Sequence, residues 1–260
     1  MIPSLFGFRF RQRLLPQLPA LLLSLLLGAL AVFLYRPEQL AGLQALRQGL
    51  PEVFTFLGME GSPHLAAHTG GLLYGFLMPL AVIFRAASSA HELVARPLAD
   101  GRAAMYLASG HRRGAILLTL CLLVLLESLF LALASLLGQA LSALVFFPGA
   151  GLAPLARQGL GFALVVLPFP ALASLLAVRA ASPRSAWRGS VLILSAFLLF
   201  SLFARLPGWT RALRFLTPLT LWKGALLSSG AGGFSDALWA LPLTAVFLVL
   251  ALLSFSRSEL

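Results

Sequence analysis

Between Gly114 and Leu137 the chain runs for 24 residues with a single ionisable side chain, Glu127. A bilayer core about 30 Å thick is crossed by roughly 20 apolar residues in a helix. The pattern recurs at Leu18–Tyr35, Gly70–Ala90, Gly159–Val178, Gly189–Ala204 and Ala237–Phe255. One such stretch could be the buried centre of a soluble fold, but six cannot all be. Composition agrees: 60% of the 260 residues are hydrophobic and 10% charged, against about 45–50% and about 25% in soluble domains. The chain therefore reads as an all-α membrane protein, a single transmembrane domain over residues 1–260 with six spans. Pro79, Pro168 and Pro170 fall inside spans, where neighbouring helices can satisfy the backbone groups a proline frees, so kinks rather than breaks are expected.

The first span is preceded by Arg9, Arg11 and Arg13, and Ala29-Leu30-Ala31 resembles a signal-peptidase site. The apolar run continues through Val32, Phe33 and Leu34, so a retained span is expected rather than a cleaved leader.

The formal net charge of +11 invites a nucleic-acid reading. Placement removes it. With the N-terminus inside, twelve basic residues face inward: Arg9, Arg11, Arg13, Arg85, Arg96, Arg102, Arg112, Arg113, Arg179, Arg184, Arg188 and Arg257. Seven face outward, four of them in the last outer loop. The positive-inside rule then puts both termini in the cytoplasm. The charge is dispersed over four short segments, so no contiguous basic face is offered to nucleic acid, and the bilayer is the partner it implies.

The connecting segments carry their own patterns. In residues 1–17, Phe6, Phe10 and Leu14 recur at i+4 while Arg9 and Arg13 share another stripe, which predicts a helix lying in the membrane interface. In the first outer loop, Leu40, Leu43, Leu46 and Leu50 mark one amphipathic helix, and Pro51 begins a second. His64 and His68 stand four apart, but no cysteine and no third nearby histidine completes a metal site. The inner loop Arg85–Arg113 combines five arginines, His91, Glu92, Asp100 and His111 with apolar Leu93, Val94, Leu98 and Met105 at helical spacing. It reads as a helix along the cytoplasmic surface, presented either to a partner or to lipid headgroups. The outer loop Arg205–Gly233 is apolar yet broken by prolines and glycines. Two short helices dipping into the leaflet and back, hinged at Thr217-Pro218, suit it.

Catalytic motifs are missing. The only lysine, Lys223, is followed by Gly224, so no phosphate-binding Gly-Lys-Ser/Thr loop exists. Ser109 lies in a charged loop, with no later intramembrane histidine to serve it as base. The single cysteine, Cys121, rules out an intramolecular disulfide. Glu127 is the one carboxylate deep in a span. Intramembrane acids are expensive and mark either a functional path or a helix–helix hydrogen bond, and both readings stand.

Asp100-Gly101-Arg102 through Leu107-Ala108-Ser109-Gly110-His111-Arg112-Arg113, followed by an apolar span, resembles the second inner segment of type-2 ABC exporter permeases. Asp100, Gly101, Leu107 and Arg113 match that family's acidic-x-Gly-Thr…Leu-Leu-Ser-x-Pro-x-Ser-Arg frame. Arg102, Gly110 and Arg112 replace its threonine, proline and serine. Leu46–Glu52 and Leu57-Gly58-Met59 are similar to the first outer loop of one bacterial branch. Leu213–Leu219 is similar to the segment before the last span, and Phe255–Leu260 to the family's short tail.

The resemblance implies a permease in a bacterial inner membrane, forming half of a substrate path. Two copies, or two related chains, would pair above an ABC ATPase dimer. The chain would not be catalytic itself, and ATP and magnesium would bind in the ATPase. Glu92, Arg96, Asp100, Gly101, Arg102, Leu107, Arg112 and Arg113 would belong to the coupling helix, and residues 1–15 would make the second ATPase contact. Rival readings are a nucleotide-independent transporter or channel subunit, an intramembrane enzyme, and a passive anchor for an assembly.

Overall fold

The computed structural model describes residues 1–35, 40–57, 65–102 and 110–257. Six helices in it are long and apolar enough to cross a membrane. Numbered in chain order, they are α1 (Pro3–Phe33), α2 (Leu65–Ala99), α3 (Arg113–Phe146), α4 (Leu152–Arg179), α5 (Pro183–Phe203) and α6 (Phe234–Arg257). Each contains all or nearly all of one expected span. All secondary structure among the described residues is helical. Leu107, His64 and the tail residues 258–260 lie outside the described residues.

Consecutive helices alternate in direction. At one end Ile2 N–H donates to Thr119 Oγ1 at 2.9 Å, His91 Nδ1 lies 2.8 Å from the Pro183 carbonyl, and Arg179 Nε bonds Ser254 at 3.0 Å. We call this the basic end. At the other end Tyr35 packs on Phe147 and His68, and Phe56 packs on Phe203. Within the window that defines each span, 78% of α4 is buried but only 22% of α6. The core is thus α2, α3 and α4, with α1, α5 and α6 around it.

The N-terminal segment departs from the expectation of a separate interfacial helix. It is continuous with the first span: α1 runs for 31 residues. No residue before Pro16 ends a helix, and Pro16 and Pro19 are carried inside it. Ile2 is buried, and Phe6 and Phe10 pack against the protein core. The aromatic stripe therefore has a protein partner; Phe10 meets Phe130 of α3.

Helices α1 and α3 run in the same direction and touch backbone to backbone. A Cβ added to Gly28 would collide with the Ser135 carbonyl, and one added to Gly138 with the Leu25 carbonyl. Ser24 Oγ donates to the Leu131 carbonyl at 2.7 Å, and Ser142 Oγ to that of Ala29 at 3.1 Å. Small residues permit this approach, and their hydroxyls find acceptors across it.

Helix α2 contains two widened, π-type turns, Leu73–Leu77 and His91–Ala95, each just before a proline, Pro79 and Pro97. A proline removes one N–H and crowds the carbonyl four residues earlier, and the wide turn gives that carbonyl room. The Gly75 carbonyl opposite Pro79 accepts a bond from Arg205 Nη2 at 3.4 Å. The kink is thus tied to the segment after α5. Helix α4 is interrupted ahead of Pro168 at Val166 and Leu167, which keep right-handed helical dihedrals but form a turn between the segments Leu152–Val165 and Pro168–Arg179.

Between α5 and α6 the chain forms short helical pieces: Trp209–Leu216 and Pro218–Leu221 as tight 3-10 helix, then Gly224–Ser229. One break falls at Thr217-Pro218 and a second at Trp222-Lys223, so the segment holds three helical pieces where two were expected. The Thr217 side chain accepts from Leu219 N–H, and both Thr217 and Pro218 are buried. Gln158 of α4 holds the segment by donating to the Gly224 carbonyl at 2.9 Å.

Candidate functional site: a buried ion network at the basic end

Span lengths alone do not place a carboxylate. Glu127 sits on α3 about 21 Å along the axis from Arg113, taking 1.5 Å per residue, and its side chain is 3% exposed. An ion so placed is costly unless it is paired and hydrogen-bonded. Here it is saturated. Arg13 of α1 approaches side-on, with Nε 2.8 Å from Oε1 and Nη2 3.2 Å from Oε2. Arg85 of α2 donates through Nη2 to Oε2 at 2.6 Å. Ser89, one turn beyond Arg85, donates its hydroxyl to the same oxygen. The remaining Arg13 nitrogen, Nη1, pairs with Glu92.

Two guanidinium groups thus balance two carboxylates, and three helices meet in one network. The positions follow from helical spacing. Arg85, Ser89 and Glu92 stand at i, i+4 and i+7, on one face of α2. The widened His91–Ala95 turn starts just before Glu92 and sets where that carboxylate projects. Glu92 is 43% exposed in its side chain while Glu127 is 3% exposed. Arg13 therefore bridges a carboxylate at the surface to one inside the bundle.

The network brings together three residues that the sequence placed in separate roles: Arg13 of the N-terminal helix, Glu92 of the coupling segment and Glu127 of the span. The expected headgroup contact of Arg13 is replaced by these two carboxylates. The other candidates lie elsewhere. Arg96, Asp100 and Arg102 are exposed at the basic end, and Asp100 pairs with Arg102 at 2.6 Å. Gly101 takes φ +70°, the left-handed conformation that ends α2. Arg112 and Arg113 are exposed at the start of α3. Arg9 bonds Gln12 at 3.2 Å. Thr217 and Pro218 belong to the opposite side.

Sequence reasoning missed Arg85 and Ser89 as members of the site. A signal was present: Arg85 is the only charged residue in the second expected span, and Glu127 the only one in the third. Two opposite charges, each alone in its span, are natural partners.

The arrangement offers no nucleophile beside a free base, and every charge in it is neutralised. Among the described residues no three metal-ligating side chains come together. What the network can do is mechanical: it ties the exposed turn around Glu92 to α1 and to the interior of α3. A second polar cluster lies toward the other end. There Tyr74 Oη donates to Gln139 Oε1 at 2.9 Å, against Gly159 and beside Phe162 and Trp222. Fold and network together define an all-helical class of chain, with six helices long and apolar enough to cross a membrane and an ion network joining three of them. Comparison with known protein families, with characterised proteins and with solved structures found no match.

Proposed function

We propose that this chain is the membrane-spanning permease subunit of an ATP-driven exporter of the type-2 ABC class. It would sit in a bacterial inner membrane with both termini in the cytoplasm, pair with a second permease copy, and dock on an ATPase dimer that binds ATP and magnesium. The observation that carries the reading is the Arg13–Glu92–Glu127 network. The resemblance assigns two segments to ATPase contact, the N-terminal helix and the charged segment after span two. In this structure one arginine joins those same segments and anchors both to a carboxylate inside the bundle. A subunit that must convert a push from below into a helix movement requires such a rigid link.

The test is affinity purification from the native membrane. An ATPase chain is expected to copurify, and Asp100→Arg or Arg113→Glu to deplete it at least several-fold. Both side chains are exposed and lie apart from the ion network, and an unchanged melting temperature of each variant checks that the loss is one of docking rather than of fold. A purified, transport-competent protein without any ATPase would overturn the proposal in favour of a nucleotide-independent transporter.

A further inference from the structure

The basic end holds a second cationic feature, unconnected to the ion network except at one wall. Between the inner part of α2 and the first turns of α5 lies a cleft of about 450 Å³ lined by Ser88, His91, Glu92, Arg184, Trp187 and Arg188. Arg184 and Arg188 are exposed, stand one turn apart, and have no ionic partner among the described residues. The only acid in the cleft, Glu92, is held by Arg13. The cleft is braced at two points: the His91 ring against the Pro183 carbonyl at 2.8 Å, and Trp187 Nε1 against Ser88 Oγ at 3.4 Å. An open, unneutralised pair of guanidinium groups calls for an anion with several acceptor oxygens.

The surface continuing from the arginines says which anion. At 100° per residue, Arg184, Arg188, Leu192, Leu199 and Phe203 fall within one stripe of α5. Leu192, Leu199 and Phe203 are 71%, 51% and 42% exposed. Leu199 lies about 16 Å along the axis from Arg188, close to half the thickness of a hydrocarbon core. Trp187 is the kind of ring that settles at the headgroup level. The geometry points to a binding site for one anionic phospholipid of the inner leaflet, its phosphate between Arg184 and Arg188 and an acyl chain along Leu192 and Leu199. This needs the bilayer placement of the chain but not the ATPase partner.

Native mass spectrometry of the full-length protein in detergent, titrated with phosphatidylglycerol or phosphatidylcholine, tests it. One phosphatidylglycerol is expected to be retained about thirtyfold more tightly than phosphatidylcholine, near fivefold for each basic side chain at an anionic surface. Arg184→Gln/Arg188→Gln should abolish that preference with unchanged thermal stability, and Arg184→Lys/Arg188→Lys should keep most of it. Leu192→Asn should loosen both lipids. Equal retention of the two lipids, or a preference that survives the double glutamine variant, would overturn the assignment. So would displacement of the lipid by millimolar inorganic phosphate, which would make this a free-anion site. Displacement by an acidic peptide at equal concentration would mark a protein dock instead and would equally overturn it.

Discussion

At the scale of single residues, Glu127 controls the charge balance of the interior. Its carboxylate accepts from Arg13, Arg85 and Ser89. Replacement by leucine would leave Arg85, 16% exposed, with no counter-charge and Arg13, 14% exposed, with Glu92 alone. Removing one partner of a buried pair costs about 3–5 kcal/mol. Glu127→Leu should therefore lower the melting temperature of the detergent-purified protein by several degrees or prevent its accumulation. Glu127→Asp should do so less, because it keeps the charge but shortens the reach. A reciprocal exchange, Arg13→Glu with Glu127→Arg, sets like charges beside Glu92 and Arg85 and should recover little of the loss. Equal stability of Glu127→Leu and the wild type would show that the network carries no structural weight. The residue scale is also where the sequence was least legible. A lone acid in a span announces a partner but not its identity, and the Arg13 contact joins residues 114 positions apart. Local periodicity assigned Arg13 to a lipid-facing interfacial helix because period alone cannot tell a protein neighbour from a headgroup.

Among elements, the pairing of α1 with α3 is the most exacting. Backbone contact at Gly28 and Gly138 leaves no room for a side chain. Gly28→Leu or Gly138→Leu must push the helices apart. Overpacking costs typically 1–3 kcal/mol, and separation would also break the Ser24 and Ser142 bonds and draw Arg13 away from Glu127. Either change should make residues 1–33 accessible to protease in detergent while the cores of α4 and α2 remain protected. Gly42→Leu, at a position with open space around it, is the matched control and should alter nothing. Kinks were the more readable feature here. Prolines inside the second and fourth expected spans announced the irregularities of α2 and α4 in the sequence. Which carbonyl the kink would free, and that Arg205 would bind the one at Gly75, depended on a contact across 130 residues that no local pattern encodes.

For the whole molecule, hydrophobic length did most of the specifying. Each expected span falls wholly or almost wholly within one of the six long helices, because twenty apolar residues in sequence admit few other solutions in or out of a bilayer. The helix ends were less legible. α2 and α3 extend well beyond their apolar stretches, since polar residues such as His91, Glu92 and Gln139 are stabilised by packing and by network partners rather than by lipid. The distribution of arginine still predicts an orientation, even after Arg13 and Arg85 are withdrawn into the ion network. Ten basic residues then remain on the basic end against seven on the other. That narrower margin makes orientation the property most in need of measurement. Cys121 is the only cysteine and is 1% exposed, so it is a silent background for introduced thiols. In intact cells stripped of the outer membrane, a membrane-impermeant maleimide is expected to label Gly149→Cys, in the loop between α3 and α4. It should leave Ala181→Cys, in the exposed turn between α4 and α5, or Gly101→Cys unlabelled until the membrane is permeabilised, when both should react. The reverse pattern would turn the molecule over, place the Arg13–Glu92–Glu127 network on the far side from any cytoplasmic ATPase, and remove the basis of the exporter reading.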